Sequence, residues 1–311
     1  FKRLLFSFYD LNGKELCLRP DLTISSVLRF VQNKSNKKQK VFYSGEAFRK
    51  TYRKQDSIIK NQIGFEILGS KDKQEEDREI IDTSIKILKR SGFKKAVLKI
   101  GNVQLFSLLI NKLSIPRRWK NRLKRHYWNE NYFNELLKRL ETNLDIDPVY
   151  VENDKSRYLK MRKLENSKEV AGRSYKEILD RFDMKINDPR RSLSGKINTK
   201  IIKEYLKIKC ELKNAPKILN KFFQKYGLNI FVGKEFFPLN KINNKNLRVE
   251  FSASSGREVE FYSSMIFSIE VKKGKKVKNF VSGGRYDELT SNLGFRKVSA
   301  AGAAVNMSVY E

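Results

Sequence analysis

Apolar residues at Ile81, Ile85 and Leu88 recur at i, i+4, i+7, one face of a helix, and Gly92 closes the run. Upstream the pattern shortens to strands. KELCLRP reads as a strand, and DLTISSVLRFVQN follows as a helix with Asp21 as its cap. NKSNKKQK is a solvated loop. KVFYSGEAFRK and QIGFEILGS are apolar and aromatic, so they read as two neighbouring strands joined by the basic excursion TYRKQDSIIKN. KKAVLKIG is a further strand. NVQLFSLLINKL is a helix capped by Asn102, with Pro116 beyond its end.

From 115 to 226 the texture changes. NELLKRL, YKEILDRF, TKIIKEYLKIK and KILNKFFQKYG carry helical patterns, and no strand signal of comparable strength interrupts them. From 227 strands return as NLRVEFSAS, VEFYSSMIFSIEV and VKNFVSGGRYDEL. KKGKK joins the last two as a hairpin, because Gly274 tolerates positive φ. Strands on both sides of a helical insert predict an α+β fold with one sheet domain, residues 1–114 and 227–311, interrupted by a helical insertion at 115–226. The chain begins at Phe1 and inside an element, so an N-terminal segment is expected before it.

Composition changes this picture little. The 66 Lys+Arg against 35 Asp+Glu give a net charge of +31, which taken alone points to a polyanion. The excess is mostly Lys, accompanies much Asn, Ile and Phe, and is spread along the whole chain, as an AT-rich genome would produce. Cys17 and Cys210 lie far apart and form neither a metal spacing nor a disulfide framework, which suits a reducing, cytoplasmic setting. There is no apolar run of transmembrane length, no P-loop, no dinucleotide fingerprint and no HExxH. The one histidine, His126, sits in the basic run RRWKNRLKRHYW and reads as a surface helix residue, leaving nothing for a Ser-His-Asp mechanism.

Four stretches could build a site. In Arg19-Pro20-Asp21-Leu22-Thr23 a carboxylate and a hydroxyl at a strand end can accept from an ammonium group, or can simply cap the helix. Gln62, Gly64 and Glu66 alternate, so they share one strand face, and a Gln and a Glu there need polar partners; Arg49 lies on the rim of the preceding strand. Arg257 and Tyr262 suit a carboxylate clamp and a pocket wall, or equally a sheet edge and a core. Gly283 and Gly284 let backbone approach a ligand, or make a tight turn.

In order and spacing, LRPDLT, VFYSGEAFRK, NQIGFEILGS, GREVEFYSSMIF and SGGRYDEL…SAAGAAV resemble the class II histidyl-tRNA synthetase catalytic fold, from about Leu16 to Val305. Within it the chain is more similar to the paralogous regulatory subunits of ATP phosphoribosyltransferase, which do not charge tRNA. The resemblance implies a mainly antiparallel sheet flanked by helices, no catalytic residues, no metal and no cofactor. It implies L-histidine as ligand, a short-form catalytic subunit as partner, and a homodimer within a hetero-oligomer. No membrane or nucleic-acid partner is expected. It places the ammonium on Asp21, Thr23 and Gln62, the imidazole on Glu66 and Tyr262, the carboxylate on Arg257 with help from Arg49, and the pocket floor on the Gly283–Gly284 backbone.

Departures separate the two branches. Aligned from Gly302, the synthetases' ATP-gripping arginine falls on Val309, which cannot neutralise a phosphate. The glutamate and the adenine-stacking aromatic of the synthetase loop fall on Thr51 and about Lys60. The family's Tyr-Tyr-Thr-Gly run reads Phe261-Tyr262-Ser263-Ser264. The alternative is a truncated histidine–tRNA ligase catalytic domain.

Overall fold

A computed structural model describes residues 5–33, 37–50, 57–142, 148–163, 174–188, 192–237, 246–256, 261–274 and 276–310. The chain opens with a small hairpin, β1 (Ser7–Tyr9) and β2 (Glu15–Cys17), followed by α1 (Leu22–Gln32). β3 (Gln39–Phe48) and β4 (Ile59–Leu68) pair antiparallel, and α2 (Lys73–Arg90), β5 (Ala96–Asn102) and α3 (Val103–Lys112) follow. Then come α4 (Arg117–Arg125), α5 (Glu130–Glu141), α6 (Pro148–Lys163), α7 (Tyr175–Ile186) and α8 (Ser192–Leu206). The rest is β6 (Lys209–Glu211), α9 (Ala215–Lys225), β7 (Leu247–Ser252), β8 (Met265–Lys273), β9 (Lys276–Arg285), the short α10 (Leu289–Asn292) and β10 (Ala300–Asn306).

Eight strands make one sheet in the order β3-β4-β10-β9-β8-β5-β7-β6. All its pairings are antiparallel except β5 with β7. The expected α+β architecture, a mainly antiparallel sheet flanked by helices, is the one observed. Its local signals act as predicted: Asp21 caps α1 by accepting from the Thr23 and Ile24 amides, Asn102 caps α3, and Gly92 and Gly274 hold positive φ where α2 and the β8–β9 hairpin end.

Two elements differ from the pattern. β6 lies inside the 115–226 segment and pairs with β7 at the sheet edge; three residues are too few to show an alternation in sequence. Of the strand expected from 259, residues 259 and 260 lie outside the described residues, 261–264 are not in the ladder and β8 begins at Met265; Phe261 and Tyr262 pack towards Tyr286 and Gly284.

One face of the sheet is apolar. Ile67, Leu98, Ile100, Phe267, Ile269, Val281 and Ala303 bury against Ile81, Ile85 and Leu88 of α2 and Leu105, Phe106 and Leu109 of α3. Trp119, Phe133, Leu136, Ile202 and Tyr205, from the helical segment, extend the same cluster. The basic run on α4 is only partly a solvated face. Arg118 and Trp119 turn inward and both donate to Asp188, at 3.0 and 2.8 Å. His126 is half-buried at the C-terminal end of α4, edge-on to Tyr132. Cys17 and Cys210 are both free thiols.

The opposite face carries more polar side chains, while an ion cluster pins the α2 end of the apolar face, where Arg285 follows Val281 and Gly283. The Arg285 side chain is 3% exposed. Its five N–H donors are all used: Nε to Asp77, one Nη to Asp287 and Ser299, the other to Glu76 and the Lys73 carbonyl, at 2.7–2.9 Å. The cluster ties β9 to the first turns of α2. Arg285→Ala would leave the buried Glu76 and Asp77 without a cation and Asp287 with Lys73 alone. It is expected to cost about 3–5 kcal/mol, read as a lower urea midpoint at unchanged slope.

Candidate functional site

The polar face carries a cavity of about 330 Å3, lined by Asp21, Thr23, Arg49, Gln62, Glu66 and Tyr262 among others. Residues scattered from 21 to 262 meet there because of register. Glu66 on β4 lies opposite Gly302 on β10, which lies opposite Gly284 on β9. Gln62, Gly64 and Glu66 share this face, as their alternation predicts.

Glu66 is the deepest of these groups, 2% exposed. Its carboxyl occupies space that only a glycine leaves, since a Cβ on Gly302 would stand 1.3 Å from Oε2. Tyr43 lies over Gly64 in the same way, with its ring 2.2–2.4 Å from where a Cβ would be. The Tyr43 hydroxyl donates to Glu66 Oε1 at 2.9 Å, and the Tyr286 hydroxyl makes a short bond to Oε2. Burial drives the Glu66 carboxyl up to about 8, against the lowering effect of the hydrogen bonds from Tyr286 and Tyr43. Burial, and then Glu66 itself, push the Tyr43 and Tyr286 phenols well above their ordinary range, so both remain donors.

At the mouth, Asp21 is already engaged at both oxygens. Oδ1 accepts from the Thr23 amide at 2.7 Å and the Ile24 amide at 3.2 Å, and Oδ2 pairs with Arg49 at 3.1 Å. Arg49 Nε also holds the Pro20 carbonyl at 2.7 Å. The capping and site readings of Asp21 are therefore compatible: the cap fixes the carboxylate at the rim. The Thr23 hydroxyl is 3.0 Å from that of Tyr43. Because Tyr43 gives its proton to Glu66, Thr23 donates to Tyr43 and keeps its lone pairs for an ammonium group. A continuous chain Arg49–Asp21–Thr23–Tyr43–Glu66–Tyr286 thus joins rim to depth.

The two other glycines require a correction. Gly283 and Gly284 do not line this cavity. Successive strand residues face opposite ways. Gly283 turns to the apolar face, where a Cβ would strike Ala303 and Phe267, and Gly284 is covered by the Tyr262 ring. The floor is instead Gly302–Asn306 of β10. Arg257 lies outside the described residues, as does Thr51. The structure brings together Asp21, Thr23, Arg49, Gln62, Glu66 and Tyr262. Tyr43 and Tyr286, which hold Glu66, and Trp128, Asn279 and Ser282, which line the cavity, were not singled out from sequence. Gly64, a gap filled by the Tyr43 ring, was the available signal for Tyr43; the gap at Gly302 is filled by Glu66 itself and does not mark Tyr286.

Val309 is fully buried in the core, in a 3-10 turn at Met307–Val309 just beyond β10. Lys60 lines the cavity rim. Among the described residues no group of three or more His, Cys, Asp and Glu could hold a metal ion, and no helix is long and apolar enough to cross a membrane.

A family model described as Histidyl-tRNA synthetase matches residues 2–184, more than half of the chain. The chain belongs to this family. Curated relatives carry a narrower name. A protein of Sinorhizobium fredii named ATP phosphoribosyltransferase regulatory subunit is 24% identical over 318 residues, covering 95% of this chain and 82% of that one. One of the same name from Agrobacterium fabrum is 27% identical over 320 residues, covering 97% and 84%. A solved Bacillus halodurans structure, titled as an ATP phosphoribosyltransferase regulatory subunit/histidyl-tRNA synthetase, superposes with a TM-score of 0.56 at 19% identity, covering 99% of this chain and 68% of that one. That likeness establishes the class II synthetase-like fold.

The raised Glu66 carboxyl sets a pH dependence. Its folded value, about 8, exceeds the ordinary 4.5, so it favours folding in full below about pH 4.5 and loses that contribution as pH rises through about 8. Denaturation midpoints measured from pH 5 to 9 should therefore fall for this reason, and Glu66→Gln should flatten the slope. Gly302→Ala, whose methyl displaces the carboxyl, should flatten it as well while costing about 1–3 kcal/mol in overpacking.

Proposed function

We propose that the protein is a non-catalytic regulatory subunit of ATP phosphoribosyltransferase. In this reading it binds L-histidine in the cavity, activates a short-form catalytic subunit and mediates histidine feedback on the first step of L-histidine biosynthesis. The observation that carries the reading is the contrast between the two ends of the site. The groups suited to an amino acid are assembled, while the position that resembles the synthetases' ATP-gripping arginine is a buried valine. The name shared by curated relatives over nearly the whole chain supports it.

Thr23, Asp21 and Gln62 would receive the ammonium, and Glu66 and Tyr262 the imidazole. Arg257, with Arg49 beside it, would meet the carboxylate. A zwitterion taken out of water needs opposite charge at each end, and these residues supply both signs. Residues 115–226 form the insertion in this reading, and 1–114 with 227–311 the synthetase-like core. The setting is cytoplasmic and the assembly a homodimer within a hetero-oligomer. Histidine acts by occupancy: it shifts the complex between active and inhibited states only by its difference in affinity for them.

Calorimetric titration tests this. The protein is expected to bind histidine and not ATP, and Glu66→Ala to abolish histidine binding. Added to a short-form catalytic subunit, the protein should raise phosphoribosyl transfer, and histidine should reverse the increase. Formation of histidyl-adenylate from histidine and ATP would overturn the reading in favour of a histidine–tRNA ligase.

A further inference from the structure

Two polar atoms in the wall of the cavity are shielded from water and have no hydrogen-bond partner among the described residues: Trp128 Nε1 and Asn279 Oδ1. Such an unmet donor or acceptor costs about 1–3 kcal/mol. Five other side-chain atoms share this condition among the described residues, and none belongs to a residue lining the cavity. One donor and one acceptor, both unmet and both in one cavity wall, suit a ligand that offers the complementary groups.

Neither side chain is placed by chance. Trp128 stands in the turn between α4 and α5, fixed on both sides. The preceding Tyr127 is buried, stacks on Phe106 at 4.1 Å and donates to the Ala253 carbonyl at 2.6 Å. The following Asn129 caps α5 by accepting from the Tyr132 amide at 3.1 Å. Asn279 is re-aimed by a register shift. Val281 pairs with Ile269, but Asn279 pairs with Glu270, so β9 carries one extra residue here. The shift puts Asn279 beside Ser282, on the cavity side. Its Nδ2 donates to the Ser282 hydroxyl at 2.6 Å, which leaves Oδ1 as the open acceptor.

We propose that Trp128 and Asn279 form a second polar subsite of this cavity, where the indole N–H donates to an acceptor of a bound small zwitterion and the Asn279 amide oxygen accepts an N–H from it. The helical segment 115–226 then supplies a ligand contact of its own, so occupancy is felt in the α4–α5 turn as well as in the sheet. The ligand class is an amino acid whose side chain carries both an N–H and a lone pair. The inference rests on the histidine reading above.

The test uses the full chain. Trp128→Phe keeps an aromatic ring and deletes the donor, and it should weaken histidine binding about tenfold with an unchanged melting temperature. Asn279→Ala should weaken binding to a similar degree. The other tryptophan, Trp119, is fully buried and bonded to Asp188, so a histidine-induced change in indole emission would report Trp128 and should vanish in Trp128→Phe. Histidine affinity within twofold of wild type in both variants would overturn the subsite, as would saturation without any change in emission. Failure of the wild-type protein to bind histidine is a separate result, which overturns the ligand assignment. L-glutamine and imidazole then serve as probes. A Trp128-dependent emission change with either supports the subsite, and none with both overturns it.

Discussion

A guanidinium removed from water must find its anions inside the protein, and Arg285 finds three. Asp77 and Glu76 come from α2 and Asp287 from the turn after β9, so one side chain fastens a helix to the end of the central sheet. Lys73 adds a second cation on Asp287. The gain from such a cluster over a well-packed apolar one is small. Its consequence is positional. Tyr286 is the next residue, and the backbone that carries Arg285 into its cluster aims the Tyr286 hydroxyl at Glu66. The depth of the cavity is therefore set by a structural ion network on the strand beside it.

A second constraint comes from what is missing. Glu66 can lie flat on the sheet only because Gly302 has no side chain, and Tyr43 only because Gly64 has none. Two glycines on one face, each opposite a large polar residue, convert a pleated surface into a trough. The trough is dry enough to lift the Glu66 carboxyl yet supplied with two phenol donors for its ionised form. Such a group is poised between protonation states, and an N–H donor or cation entering the cavity favours ionisation. The hydrogen-bond chain through Tyr43 and Thr23 ends at Asp21, so the state of the deep carboxyl and the geometry of the rim are linked through neighbours in contact.

Much of this was legible in sequence, and the reason is local. Helix caps at Asp21 and Asn102, the hairpin glycine at 274 and the alternation of Gln62, Gly64 and Glu66 depend on neighbours within a few residues, so composition reveals them. Contacts set by register were not legible. Which of Gly283 and Gly284 faces the cavity is decided by pairing with β8 and β10, and the shift at Ile269/Glu270 alters the count further. That Asp21 would meet Arg49, 28 residues later, follows from the return of β3 beside α1. Trp128 reaches the cavity only because a turn between two helices packs against Ala253, a contact across more than a hundred residues.

Position 309 and Glu66 show burial working in opposite directions. A cation that grips phosphate must face solvent-filled space. A valine there turns inward instead, and Val309 does so completely, joining the cluster that includes Val281, Ala303 and Val305. Val309 therefore contributes apolar burial, and an arginine at this position would require finding anions for it in that cluster. Glu66 is the opposite case. Its burial is unfavourable to the charged form, and yet two glycines, two tyrosines and a threonine are arranged around it. Stability alone would favour an apolar residue over Gly302. The polar network around Glu66 is kept at that cost to packing, and it gives the cavity a deep group able to meet a polar ligand.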